Sequence, residues 1–122
     1  LVTGGSKGIG RGIVEEFLQL GAKVVTCARD IACLDALQKS SGGALTVVAA
    51  DVSTCEGRRA ALKAALEAHG GRLDILVNNV GTNLRKASIE FTEAEYEKLC
   101  QTNQSSAFHL CQEAFQHLAL TR

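Results

Sequence analysis

The sequence lacks net charge, long apolar runs and proline, and the first two absences narrow its function. It has 13 basic and 13 acidic side chains and no basic run, which argues against nucleic-acid binding. No apolar stretch reaches the roughly 20 residues that a membrane-spanning helix needs. Proline is absent altogether, so glycine and polar residues separate the predicted elements. With 46% hydrophobic and 21% charged residues over 122 positions, the composition indicates one small globular domain.

Cysteine and histidine are present, but they show no pattern of a disulfide framework or a metal site. The three histidines, His69, His109 and His117, have no metal-ligand spacing, so no metal is expected. Reduced, buried cysteine acting as a small apolar residue is the expectation, which fits the cytoplasm or an organelle stroma or matrix. The chain opens inside a predicted strand at Leu1, which leaves open a transit peptide ahead of it. The five cysteines, none in C-x-x-C spacing, are Cys27, Cys33, Cys55, Cys100 and Cys111.

Short apolar runs alternate with helical patterns along the chain. The runs predict strands at residues 1–3, 23–28, 45–50 and 73–77. Four helices are predicted. The first covers residues 8–20, and the second runs from an Asp30 N-cap to about residue 42. The third runs from a capping box at residues 53–56 to about residue 70, and the fourth begins at a capping box at residues 92–95. The last helix has an apolar line at helical spacing, formed by Tyr96, Leu99, Ala107, Leu110, Ala114 and Leu118.

This βαβαβαβα order predicts an α/β fold of the Rossmann type, with a doubly wound parallel sheet. The strands are near-continuous apolar runs, as expected where helices cover both faces of a sheet. The expected strand order is 3-2-1-4, and the sheet is incomplete because residues 1–122 lack the C-terminal strands of such a fold. We expect a protein partner or a C-terminal half to cover the edge at residues 73–77 and the long helix.

A glycine-rich turn joins the first predicted strand to the first predicted helix. Glycines let the backbone approach a pyrophosphate, and free N–H groups at the helix N-terminus point toward it. The position of the turn therefore favours a dinucleotide site, whereas a turn that serves only close packing is the alternative. The candidate cofactor-binding residues in it are Gly4, Ser6, Lys7, Gly8, Ile9 and Gly10.

Charged residues near the end of the second strand indicate which dinucleotide is bound. An NAD site usually has a carboxylate here for the ribose 2′-hydroxyl. Instead Ala28 ends the predicted strand and Arg29 follows it, and a guanidinium suits a 2′-phosphate because its planar fork makes paired bonds. Lys7 supplies a second cation, so NADP(H) is the predicted cofactor. Asp30 could instead be the carboxylate that binds the ribose of NAD, although we favour it as a helix N-cap.

The ends of the third and fourth strands supply the other candidate binding residues. Asp51 can accept a hydrogen bond from an adenine amino group, with Val52 beside it, and an ordinary loop aspartate is the alternative. Asn79 can tie its loop to neighbouring strands, and Gly81 lets the backbone pass close to the cofactor.

Asn103 is the candidate catalytic residue. It lies on the apolar line of the long helix, at helical spacing from Leu99 and Ala107. A buried amide on a core-facing stripe must find partners. Catalytic positioning and a satisfied structural asparagine are equally good explanations of the pattern.

These motifs together resemble the short-chain dehydrogenase/reductase family over the whole chain. Four motifs in order make the resemblance specific. The matching residues are Thr3, Gly4, Gly8 and Gly10 for the T-G-x-x-x-G-x-G signature, Asp51 for the adenine-contacting aspartate, Asn78, Asn79 and Gly81 for the N-N-A-G motif, and Asn103 for the long-helix catalytic asparagine.

Within that family the sequence is most similar to the plant-type tropinone reductases and their homologues. Residues 2–14, 26–29, 81–86 and 106–111 are typical of that group. The resemblance implies an NADP(H)-dependent carbonyl reductase or alcohol dehydrogenase that acts on a small ketone or alcohol. Tropinone itself does not follow, because the group includes homologues that act on other ketones.

The departures from the family pattern concern the catalytic groups. The resemblance places the catalytic serine and the Tyr-x-x-x-Lys pair beyond the long helix. Tyr96 cannot replace that tyrosine because Cys100 stands four residues later. The 122-residue segment alone is therefore predicted to be inactive. Val80 replaces the alanine of the N-N-A-G motif, which either narrows the nicotinamide site or only repacks it.

Two other hypotheses are kept beside the reductase. The first is a non-catalytic scaffold subunit derived from a reductase, with NADPH as a structural ligand. The second is a nucleotide-sensing regulator without redox chemistry.

Overall fold

Three short parallel strands form the sheet on which the helices pack, in a computed structural model that describes residues 1–119. The strands are β1 (Val2–Thr3), β2 (Val24–Ala28) and β3 (Leu45–Ala49), hydrogen-bonded in the order β1-β2-β3. Val2 pairs with Thr26, and Val24 pairs with Leu45. The α/β class and the parallel sheet predicted from the sequence are confirmed. The last three residues of the predicted domain lie outside the described part.

The predicted strand at residues 73–77 is wrong as a full strand. Val77 forms a single parallel bridge with Val2, in which Val77 N–H donates to the Leu1 carbonyl at 2.8 Å and Thr3 N–H donates to the Val77 carbonyl at 2.9 Å. Because β1 has only two residues, it offers backbone groups for little more than this bridge. The strand order 3-2-1-4 stays a prediction.

The first three α-helices lie close to the predicted positions. They are α1 (Gly8–Gln19), α2 (Asp35–Ser40) and α3 (Cys55–Ala68). The helix expected to start after Asp30 is wrong in its first part, because a 3₁₀ turn over Ala32–Leu34 precedes α2.

The predicted capping box at residues 53–56 is also wrong. Thr54 is the N-cap of α3, and its hydroxyl accepts a hydrogen bond from Gly57 N–H at 3.0 Å. Ser53 lies one residue before this N-cap, and its hydroxyl donates to Asp51 Oδ1 at 2.7 Å.

The predicted long helix is interrupted by a turn of π-helix. Its parts are α4 (Glu93–Cys100), the π turn (Gln101–Ser105) and α5 (Ser106–Ala119), preceded by a short 3₁₀ turn over Ser88–Glu90. The capping box of α4 is confirmed, since Thr92 and Glu95 bond to each other's backbone N–H groups.

The π turn moves the apolar line by about one residue. A π turn holds more residues than an α turn, so side chains before and after it fall out of α-helical register. Leu110 and Ala114 are buried as predicted. Tyr96 is 63% exposed and Asn103 is exposed, whereas Ser106 occupies the core with 4% exposure. The prediction that Asn103 is buried is therefore wrong.

Apolar side chains cover the sheet on both faces. On one face Val25 and Cys27 of β2 pack with side chains of α3 and α5, among them Ala61, Ala65 and Leu110. On the other face Val24 packs with Val14 of α1, and Leu37 of α2 lies against this cluster. The doubly wound arrangement predicted from the strand patterns is confirmed. None of the helices within residues 1–119 combines the length and the apolarity needed to cross a membrane.

Candidate cofactor site

A cleft of about 750 Å³ opens where the strands end at their carboxyl side. Gly4 follows β1, Arg29 follows β2, and Ala50 and Asp51 follow β3. In open parallel sheets ligands bind outside the carboxyl ends of the strands, and the volume lies in the usual range of ligand pockets. Ten of the eleven predicted cofactor-binding residues line this cleft, namely Gly4, Ser6, Lys7, Gly8, Ile9, Arg29, Asp51, Val52, Asn79 and Gly81.

Within residues 1–119, the N-terminus of α1 has no side-chain cap from its N-cap residue. Lys7 is the N-cap residue, in an extended conformation and with no side-chain hydrogen bond to the helix. By contrast, Thr54 caps α3 and Thr92 caps α4. The open N–H groups of a first helical turn attract anions. Gly4 and Gly8 have φ of +73° and +58°, which favour glycine, and the turn they form holds this terminus against the cleft.

Gly10 is the predicted cofactor residue that does not line the cleft. A methyl group there would collide with the Gly4 carbonyl and with the Asn79 amide. Asn79 Nδ2 donates to the carbonyls of Thr3 and Gly4, at 3.0 and 3.2 Å. The absence of a side chain at Gly10 therefore leaves room for the Asn79 amide, which fixes the backbone of the glycine turn.

The Thr3 hydroxyl completes the link between the two loops. It accepts from Asn79 N–H at 3.0 Å and from Val80 N–H at 3.3 Å, and it donates to the Val77 carbonyl at 3.3 Å. The Val80 side chain lies against Gly4 and packs on the core, although it also contributes to the cleft wall. The extra methyl groups of Val80 thus fill space behind the glycine turn.

Two exposed cations stand at the rim of the cleft, as the sequence predicts for Lys7 and Arg29. The carboxylate of Asp30 is used locally, because its Oδ1 accepts a hydrogen bond from Ala32 N–H at 3.0 Å. This bond closes a local turn and is not a helix cap, because Ile31 is the N-cap of the 3₁₀ turn and Leu34 is that of α2. The prediction that Asp30 caps a helix is therefore wrong.

Asp51 is a pre-oriented carboxylate. Its Oδ1 accepts hydrogen bonds from the Ser53 hydroxyl and the Ser53 N–H, at 2.7 and 3.0 Å. The bond from the hydroxyl has the largest effect in lowering the pKa of Asp51, with smaller contributions from Arg29 and Lys98. The group is ionised at neutral pH, and Oδ2 is the oxygen available to a donor on a ligand.

Helix α4 and the π turn after it add cleft residues that were not predicted from the sequence. Glu95, Lys98, Leu99 and Thr102 all line the cleft. Glu95 Oε2 is held by Lys86 at 2.5 Å and by Thr92 N–H at 2.9 Å. The sequence signal for this region was the capping box. It identifies the N-terminus of α4, but it does not show which surface that terminus faces.

Asn103 lies on the π turn and holds the loop after Gly81. Its Oδ1 accepts from Thr82 N–H and its Nδ2 donates to the Thr82 carbonyl, both at 2.8 Å. Thr82 lines the cleft, whereas Asn103 does not. The amide therefore acts on the site through the backbone of Thr82.

The cysteines differ from the expectation of uniform burial. All five are free thiols, and Cys33 and Cys111 are exposed, so the prediction is wrong for these two. Cys27 is buried, and burial raises the pKa of its thiol to about 11. Cys27 lines the cleft as a neutral group at cellular pH.

The geometry of this cleft agrees with the proteins to which the sequence is similar. A chloroplastic tropinone reductase homologue of Arabidopsis thaliana is 48% identical over 119 residues, which are 94% of this chain and 37% of that protein. A second Arabidopsis thaliana tropinone reductase homologue is 46% identical over 92% of this chain and 44% of its own length. The chain thus spans well under half the length of these relatives.

Solved structures give the same result for the fold. A short-chain dehydrogenase/reductase from Brucella melitensis superposes with a TM-score of 0.87 and 31% identity, covering 95% of this chain and 49% of that one. A 3-ketoacyl-(acyl-carrier-protein) reductase from Brucella melitensis, solved with NADH, superposes with a TM-score of 0.85 and 30% identity, covering 94% of this chain and 48% of that one.

The family profile decides the assignment, because it extends over the whole chain. The profile described as short chain dehydrogenase matches residues 1–122. The chain belongs to the short-chain dehydrogenase family.

Proposed function

We propose that the protein is an NADP(H)-dependent carbonyl reductase or alcohol dehydrogenase of the tropinone-reductase-like type, with residues 1–122 as its cofactor-binding part. The observation behind this proposal is the single cleft that gathers ten of the predicted cofactor residues at the carboxyl ends of the strands. The names of the relatives, tropinone reductase homologues, support the same reaction class.

The residues of the cleft fit a dinucleotide in their chemistry. The uncapped N-terminus of α1 would hold the pyrophosphate, because its N–H groups and helix dipole favour an anion. Asp51 would accept a hydrogen bond from the adenine amino group beside Val52. Asn79 and Gly81 would border the nicotinamide half, and the bound nicotinamide would exchange a hydride with the carbon of a ketone or alcohol.

The choice of NADP(H) over NAD(H) rests on the charges at the rim. Lys7 and Arg29 supply two cations near the ribose position, where their charges favour a 2′-phosphate. Asp30 is not among the residues that line the cleft, and its Oδ1 accepts a hydrogen bond from Ala32 N–H. Both observations support a local role for this carboxylate over a contact with the ribose.

The residues that would transfer protons during the reaction are not among those that line this cleft. Asn103 positions the Thr82 backbone, and through it supports the proton relay. Tyr96 does not meet the requirement for a proton donor, because its hydrogen bond with Cys100 raises the pKa of Tyr96 whereas catalysis needs it lowered. We therefore predict that residues 1–122 alone bind cofactor without turnover.

Removing the Arg29 cation tests the cofactor choice. The Kd values of NADPH and NADH are measured by calorimetry on the complete natural polypeptide and on Arg29→Ala. Loss of a charged hydrogen bond to the 2′-phosphate is expected to weaken NADPH about tenfold or more and to leave NADH nearly unchanged. Arg59→Ala, an exposed arginine on α3, is the control for net charge and should change neither affinity.

Other outcomes contradict parts of the proposal. Tighter binding of NADH than of NADPH by the unsubstituted protein would refute the NADP(H) assignment. Binding of NADPH without turnover of any ketone or alcohol by the complete polypeptide would favour the scaffold or sensor hypothesis.

A further inference from the structure

Arg58 is a buried cation in an unfavourable position. It lies in the first turn of α3 and is 7% exposed. The positive end of the helix dipole disfavours a cation there, and burial removes its hydration. A basic side chain in such a place needs strong compensating contacts.

The contacts of Arg58 are to the backbone of the adenine loop, which we define as residues 51–53. Its Nη1 donates to the Val52 carbonyl at 3.3 Å and to the Ser53 carbonyl at 3.4 Å. The Asp51 carbonyl is bonded separately, to Thr54 N–H at 3.1 Å and the Thr54 hydroxyl at 2.9 Å. Every carbonyl of the adenine loop thus has a donor, and Arg58 supplies two of the three.

A carboxylate from another helix forms an ion pair with Arg58. Glu113 of α5 places Oε1 at 3.6 Å from Arg58 Nε, which is an ion-pair distance but too long for a hydrogen bond. Within the described residues, Arg58 Nε and Glu113 Oε2 are buried with no hydrogen-bond partner. The pair therefore acts mainly through charge, and it keeps the guanidinium turned toward the loop.

All three residues of the adenine loop line the cleft. Gly57 of α3 touches this loop so closely that a methyl group would overlap the Asp51 backbone. The position of the Asp51 carboxylate thus depends on how the start of α3 is held. Arg58 is the side chain that connects this helix start, the loop and α5.

We propose that Arg58 is a positioning residue for the adenosine half of the dinucleotide, and that Glu113 orients it. The inference rests on the proposed function, because it assumes that adenosine occupies the side of the cleft bordered by residues 51–53. Arg58 touches no ligand itself. It acts by fixing the two carbonyls that follow Asp51.

Half-cofactors separate this role from a general loss of structure. The probes are adenosine 2′,5′-bisphosphate and reduced nicotinamide mononucleotide, with Kd measured by calorimetry on the complete natural polypeptide. Arg58→Met is expected to weaken the bisphosphate about tenfold, since two hydrogen bonds are lost, and to change the mononucleotide by less than about twofold. Arg59→Met, at the adjacent exposed position, should leave both affinities unchanged.

A milder variant protects the test against a folding defect. Glu113→Gln keeps the shape of the side chain and removes its charge, and it is expected to weaken the bisphosphate about threefold, in line with one partly exposed ion pair. Equal weakening of both half-cofactors, or no weakening by either variant, would overturn the inference while leaving the proposed function intact. Failure of the unsubstituted protein to bind either probe would overturn the proposed function and the inference together.

Discussion

At the scale of single residues, the site depends on a glycine, which has no side chain, as much as on the polar side chains around it. Asn79 reaches the Thr3 and Gly4 carbonyls only because Gly10 has no side chain. The sequence pattern suggested Gly10 as a ligand contact, whereas the structure gives it a packing role behind the cleft. A motif residue can thus shape the cleft without lining it.

Gly10→Ala should damage both stability and cofactor binding. The added methyl group would overlap the Gly4 carbonyl and the Asn79 amide, and such overpacking costs about 1–3 kcal/mol. Urea unfolding and NADPH titration measure the two effects.

Gly12→Ala is the matched control on the same helix. A methyl group at Gly12 meets no atom within 4 Å, so this variant should gain about 0.5–1 kcal/mol from helix propensity. Equal stability of the two variants would show that the crowding at Gly10 is relieved by a shift of the turn.

At the scale of elements, the sequence identified the start of α4 correctly, whereas it misplaced the starts of α2 and α3 and missed an irregularity inside the long helix. The Thr92 capping box was visible because its bonds are local. The π turn at Gln101–Ser105 was not visible, because nothing in the 3.6-residue period marks an inserted residue. That turn explains why Asn103 leaves the core and can meet Thr82 instead.

The N-terminus of α4 should respond to acid. The hydrogen bond from Lys86 contributes most to lowering the pKa of Glu95, from 4.5 to about 2. A lowered pKa in the folded state adds stability that is present above pH 4.5 and is lost as pH falls toward about 2. The urea midpoint of the unsubstituted protein should therefore exceed that of Glu95→Gln at pH 7, and the difference should shrink between pH 4.5 and about 2.

The acid response has a control on the same helix. Glu97→Gln removes the same charge at an exposed position outside the Lys86 ion pair. Its midpoint should differ from that of the unsubstituted protein by a smaller amount at pH 7. A Glu95→Gln difference that is the same at pH 7 and pH 2.5 would contradict the assignment of this ion pair to stability.

At the scale of the whole molecule, topology explains which site residues were predictable. The carboxyl ends of parallel strands meet at one edge, so residues directly after strands, such as Arg29 and Asp51, converge in the cleft. Glu95 and Lys98 reach the same cleft from a helix that follows a long connection after Gly81. Where such a helix docks depends on tertiary contacts that no local pattern encodes.

The outer surface of α5 carries two exposed aromatic rings. Phe108 and Phe115 are 64% and 61% exposed, and their spacing of seven places both rings on one side of the helix. Exposed aromatic rings on one side of a helix favour association through apolar burial. We expect the isolated 122-residue chain to self-associate at tens of micromolar, as measured by sedimentation velocity, and Phe108→Lys/Phe115→Lys to shift it toward monomer.

The charge added by that double variant requires its own control. Gln112→Lys/Gln116→Lys adds the same two charges to exposed positions of α5 while leaving both rings in place. If apolar contact drives association, this control stays associated and the phenylalanine variant does not. If both variants dissociate equally, charge repulsion explains the effect, and the aromatic side of α5 is not the contact. A chain that is monomeric without any substitution would contradict the prediction outright.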